Sequence, residues 1–212
     1  MDAMARHTYA NPGARRTREV ETPKGAAIFM IGAVVLLWVL ELIDTLLLHL
    51  LDNFGIQARE PEGLIGILFA PFLHVGFGHL LSNTVPLLVL GFLILVGSGG
   101  ARRFLVSTVT SALTSGFAAW ILTPAHTLVM GASGVVFGWL TYLIARGALA
   151  RDWKSIIISV FVLLVYGSVI WGIFPSTAGV SWQAHLGGAV GGVLAAWLMH
   201  KRRARATASS YA

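Results

Sequence analysis

No cysteine occurs anywhere in the 212 residues, which excludes a disulfide framework, a thiolate metal site and a thiol nucleophile together. The redox compartment is left open by the same absence. Charge is also scarce. Asp, Glu, Lys and Arg make up 11% of the chain, against roughly a quarter of an ordinary soluble domain. With 56% hydrophobic residues and a mean hydropathy of +0.78, such a chain requires a bilayer as its solvent. Acidic residues are the scarcer charged class, nine against fifteen basic. The resulting net charge of +6 and pI near 10.3 would suit a nucleic-acid binder, but the basic residues gather at the ends of apolar segments rather than along one helical face with interleaved aromatics. They point to membrane orientation, and nucleic acid is not an expected partner.

What the chain does have is long apolar runs. At about 20 residues per crossing, its length accommodates about six spans. Residues 1–24 mix Arg6, Arg15, Arg16, Arg18 and Lys24 with acidic residues and prolines and show no apolar period, which predicts a disordered tail. The run Ala26–Leu51 is too long for a secretory h-region and reads as a retained first span. Glu41 and Asp44 lie within it, three apart and so on one helical face, which in lipid must turn inward or sit near an interface. Residues 52–74 are interrupted by Gly55, Pro61, Gly63, Gly66 and Pro71 and predict a long, partly membrane-embedded loop. Further spans are expected over 78–97, 104–122, 133–148, 156–174 and 182–199, followed by a basic tail over 201–212. The expected fold is therefore an all-α membrane protein, a compact bundle of six transmembrane helices over 25–200. Basic residues fall in the N-terminal tail, at Arg102 and Arg103, at Arg146, Arg151 and Lys154, and at Lys201, Arg202, Arg203 and Arg205. These are alternate connections, with only Arg59 on the other side, so the positive-inside rule places both termini in the cytoplasm.

Two polar elements stand at similar depth. Gly131-Ala132-Ser133-Gly134 opens the fourth span, where a helix N-terminus favours developing negative charge and the glycines admit a substrate backbone. Alone, this tetrapeptide reads more readily as a small-residue packing motif, since Ser and Gly are common at helix contacts. His185 lies early in the sixth span, on a helix whose Ala184, Gly188 and Gly192 form a small stripe matching Gly134 and Gly138. Packing through those stripes would bring Ser133 and His185 within hydrogen-bond reach, as a histidine base activating a serine hydroxyl requires. Phe137, one turn below Ser133, is placed to stack on His185. His79 and Asn83, four apart in the second span, share a face and offer side-chain donors for an oxyanion. Competing readings remain: a metal site from His74, His79 and His185, which lacks HExxH-type spacing or an accompanying carboxylate, and the polar lining of a channel or transporter.

Taken jointly, the His74…His79…Asn83 run, Gly131-Ala132-Ser133-Gly134 and Ala184-His185 followed by Gly188 and Gly192 resemble the rhomboid intramembrane serine proteases, over about residues 61–196. The resemblance implies a rhomboid-like six-helix bundle in which Ser133 is the nucleophile, His185 the general base, His79 and Asn83 the oxyanion donors, and Gly131, Gly134, Phe137 and His74 supporting residues. It implies no cofactor and no metal. The substrates expected are single-span or other transmembrane proteins, cut in the lipid bilayer of the plasma (inner) membrane, with the loop 175–181 and the fifth span as a movable gate. The family's first loop commonly carries a Trp-Arg pair where this chain has Ile65 and Gly66, which leaves the bracing of that loop open. A catalytically silent pseudoprotease would share the fold, and the intact Ser133 and His185 argue against it.

Overall fold

The computed structural model describes residues 19–97, 99–150, 152–175 and 179–209, and its regular secondary structure is helical apart from one two-residue strand pair. Helix α1 spans Pro23–Leu46, begun by Thr22, whose hydroxyl accepts the N–H of Gly25 at 3.0 Å, with proline at the first helical position. Proline has no N–H to leave unsatisfied there. The helix stops before the expected residue 51 because the chain turns through left-handed backbone at Leu48 and His49. The first loop then runs through 3-10 turns at Leu51–Phe54, Pro61–Leu64 and Ala70–Phe72, the strand β1 (Ile56–Gln57) and the short helix α2 (Gly66–Phe69). Helix α3 spans Phe77–Leu95 and α4 Gly100–Leu122; β2 (Leu128–Val129) precedes α5 (Ser133–Ala150). Helix α6 (Trp153–Tyr166) is capped by Asp152 and passes into a 3-10 segment, Gly167–Ile173. Helix α7 covers Trp182–Ser209, so it continues into the segment expected as a basic tail.

Among the described residues, four helices are long and apolar enough to cross a membrane: α1, α3, α4, and α6 with its 3-10 extension. Helix α5 is a shorter apolar helix. The lipid-compatible exterior is plain on α6, where only Ser155 and Val162 are buried and Leu164 is 80% exposed. The polar face predicted for α1 turns inward, since Glu41 and Asp44 are both buried. The expected tail over 1–24 lies largely outside the described residues.

Between helices in lipid there is no hydrophobic driving force, because the tails are as apolar as leucine, and association rests on close van der Waals packing. Here that packing is a three-helix contact of α4, α5 and α7 through small residues. A Cβ at Gly188 would meet the carbonyl of Gly134, and one at Gly192 the carbonyl of Gly138. The two stripes read from the sequence thus face each other. A third row, Ser107, Ser111 and Ser115 on α4, is also buried, with the Ser115 side chain on Gly134 and that of Ser111 on Gly138. The four-residue spacing of these serines was the available signal for it.

The first loop lacks the Trp-Arg pair but is braced by other means. β1 pairs antiparallel with β2, Ile56 opposite Val129 and Gln57 opposite Leu128. The Trp120 indole donates to the Glu60 carbonyl at 2.8 Å, and the Arg59 N–H donates to the Trp120 carbonyl at 3.1 Å. Ile56, Ile67, Ala70 and Leu73 bury themselves against Ala119, Val129, Met130 and Ala184. This satellite core ties the loop to the segment that leads into α5.

Candidate active site

Ser133 is the first residue of α5, and the backbone before it is held by the first loop. Gly131 adopts φ +128°, a conformation that favours glycine, and its N–H donates to the Ala70 carbonyl at 2.8 Å. The next N–H, that of Ala132, donates to His74 Nε2 at 3.4 Å. His74 is almost fully buried, and burial followed by the neighbouring His79 lowers its pKa to about 4. A neutral imidazole is required for a ring nitrogen to accept that N–H. His74 therefore braces the turn that presents Ser133.

The Ser133 hydroxyl and His185 Nε2 are 2.9 Å apart. On the other side of the ring, Nδ1 lies 3.0 Å from the carbonyl oxygen of Gly172. A carbonyl only accepts, so Nδ1 carries the proton and Nε2 is left to accept from the serine. The Phe137 ring stacks on the imidazole with centroids 4.1 Å apart and planes at 11°. Among the described residues, His185 is thus oriented by one backbone hydrogen bond and one ring face, with no carboxylate. Gly172 was not legible in the sequence as part of the site. It lies in the 3-10 segment after α6, where a Cβ would sit 2.7 Å from Phe137 Cζ, so a side chain there would push on the stacked ring.

His79 and Asn83 line the same cavity as Ser133 and His185, a space of about 860 Å³. His79 lies against Gly131, with Nε2 3.0 Å from where a Cβ of that residue would be. The Asn83 amide donates to the His79 carbonyl at 3.2 Å. Neither side chain hydrogen-bonds Ser133 here. His74, His79 and His185 do not form a group of metal-ligating atoms; among the described residues the one such group is Asp44, His49 and Asp52. Of the loop 175–181 expected as a gate, residues 176–178 lie outside the described residues.

Helical elements of membrane-spanning length and small-residue packing define a polytopic membrane protein, in which a serine–histidine pair faces a cavity. The chain matches the rhomboid domain over residues 61–202, more than half its length, and it belongs to the rhomboid family. It is 43% identical over 183 residues to an uncharacterized protein of Mycobacterium tuberculosis, covering 82% of this chain and 75% of that one. It is 30% identical over 150 residues to rhomboid-like protein 11, chloroplastic, of Arabidopsis thaliana, covering 62% and 51%. To the rhomboid protease GluP of Bacillus subtilis it is 30% identical over 132 residues, covering 58% of this chain and 24% of that protein.

Proposed function

We propose that this protein is an intramembrane serine endopeptidase that hydrolyses peptide bonds in or near the transmembrane segments of other membrane proteins. The observation that carries the reading is the 2.9 Å contact of Ser133 with a His185 whose far nitrogen is held by the Gly172 carbonyl. In this reading the chain crosses the plasma (inner) membrane six times with both termini cytoplasmic, as the distribution of basic residues supports.

His185 Nε2 takes the Ser133 proton as the oxygen attacks the substrate carbonyl carbon. The negative oxygen that develops is stabilised by the Ser133 N–H at the start of α5 and by His79 and Asn83. Collapse of the tetrahedral species breaks the C–N bond, and His185 returns the proton to the leaving amine. Water, activated by the same imidazole, then hydrolyses the acyl-enzyme. The cavity beside Ser133 supplies room for that water. A regular helix hides its carbonyls in backbone hydrogen bonds, so the favoured substrates are spans weakened by Gly or Pro near the membrane surface.

The test is cleavage of a tagged single-span substrate with such a segment, in liposomes, together with labelling by a fluorophosphonate. Cleavage and labelling that both disappear in Ser133→Ala support the reading. Cleavage that survives Ser133→Ala removes it, and a folded wild type inert toward several such substrates favours a rhomboid-like protein that binds without cutting.

Two further outcomes follow from the geometry. Phe137→Ala removes the ring that holds the His185 plane and is expected to lower kcat/KM by roughly 10- to 100-fold, read in the same assay; unchanged turnover would show that the stack does not position the base. Asn83→Ala is expected to lower kcat by roughly 100-fold with little change in KM, because an oxyanion donor acts on the transition state. A change confined to KM would assign Asn83 to substrate binding.

A further inference from the structure

Away from the Ser133 cavity, the C-terminal end of α1 gathers carboxylates around one imidazole. Asp44, His49 and Asp52 each present one ligand atom, all within 4.8 Å of one another. His49 Nδ1 lies 3.2 Å from Asp44 Oδ2 and 3.6 Å from Asp52 Oδ2. The chain reaches this arrangement through left-handed backbone at Leu48 and His49, φ 54° and 64°. The second Asp44 oxygen is engaged, accepting the Leu51 N–H at 2.7 Å.

The surrounding groups are short of positive charge. Asp52 Oδ1 is enclosed and has no hydrogen-bond partner. One turn earlier on the same helical face, Glu41 is 3% exposed; its carboxyl is hydrogen-bonded by the backbone of Gly76 and interacts electrostatically with Asp44, Asp52 and His49, while its Oε1 is enclosed and without a partner. Among the described residues no lysine or arginine pairs with any of the three carboxylates, so a single histidine faces them all. Enclosed carboxylate oxygens without a partner are costly.

We propose that Asp44, His49 and Asp52 bind a divalent first-row transition metal ion, zinc in preference to magnesium or calcium, with the buried Glu41 carboxylate adding negative charge behind them. The imidazole nitrogen selects against the hard, all-oxygen cations. Ligands about 2.1 Å from a tetrahedral zinc stand roughly 3.4 Å apart, and the two nitrogen–oxygen separations here already bracket that spacing. His49 is solvent-exposed, so an ion reaches the site without opening the bundle. Bound there, it would pin the end of α1 to the turn that leads into β1, whose partner strand β2 leads in turn to Ser133. The site would act as a clasp on the first loop, whose Ile56 lines the Ser133 cavity, independently of what that cavity does.

The test uses the full chain in detergent, without a histidine tag, stripped by chelator and titrated with zinc chloride by calorimetry, with magnesium chloride in parallel. One zinc per chain is expected, with a raised unfolding midpoint and no heat from magnesium. His49→Ala and Asp52→Asn, both at accessible positions, are each expected to weaken binding about tenfold or more, with folding checked by the unfolding midpoint without zinc. Zinc binding unchanged in both variants places the ion elsewhere, such as at the cavity histidines, and overturns the proposal. So does a wild type that binds no zinc.

Discussion

Ser133→Ala is expected to lower kcat/KM by about ten thousandfold or more while the protein folds and melts almost as before. The two parts of this result have separate causes. The lost hydroxyl is the atom that would form the bond to the substrate carbonyl, and among the described residues no other hydroxyl is hydrogen-bonded to His185 Nε2. In stability, the hydroxyl contributes one hydrogen bond at 2.9 Å, a contribution of about 1 kcal/mol, and water in the cavity can take its place. His185→Ala should cost nearly as much in rate, and the double variant should be hardly slower than either single one. Non-additivity of this kind marks two groups acting as one unit. The measurements are steady-state cleavage of a helix-weakened single-span substrate and thermal unfolding in detergent. If the double variant lost the product of the two single losses, Ser133 and His185 would be acting in separate steps.

The sequence carried the elements of this arrangement that depend on type and period. Apolar run lengths mark the helices, although α1 ends before the apolar run does, where the backbone turns left-handed at Leu48 and His49 and the Asp44 carboxylate accepts the Leu51 N–H. Fourfold spacing of Ala184, Gly188 and Gly192 against Gly134 and Gly138 marks the helix contact that lets Ser133 meet His185. What stayed hidden depends on backbone acceptors and on where a helix unwinds. The Gly172 carbonyl reaches His185 only because the segment after Tyr166 tightens into a 3-10 helix, and nothing in an apolar stretch such as Gly167–Ile173 announces that change. Bracing of the first loop by Trp120 is of the same kind, since a backbone carbonyl at Glu60 has no signature in residue type. The roles of His79 and Asn83 rest on the family resemblance and on their shared cavity, which is why the Asn83→Ala result discriminates.

The other large effect is expected at Gly188, where Gly188→Val should prevent stable folding and abolish cleavage together. The nearest obstacle to a side chain there is the carbonyl of Gly134, which belongs to the backbone of α5 rather than to a flexible side chain, so relief requires the two helices to separate. Separation would expose Gly138 and Gly192, whose own close approach depends on the same distance, and would withdraw Ser111 and Ser115 from the contact they share. In a bilayer the exposed surface meets lipid of similar polarity, so no hydrophobic penalty pulls the helices back together, and the lost contacts are lost outright. His185 stands one turn before Gly188, and even a modest separation would take Nε2 out of reach of Ser133. Gly32→Ala supplies the contrast, because a Cβ at Gly32 meets nothing within 4 Å and alanine should strengthen an exposed position of α1 by roughly 0.5–1 kcal/mol. Thermal unfolding in detergent, read beside cleavage, distinguishes the two. A Gly188→Val protein that melts and cuts like the wild type would mean that the α5–α7 contact neither holds the bundle nor sets the distance between Ser133 and His185.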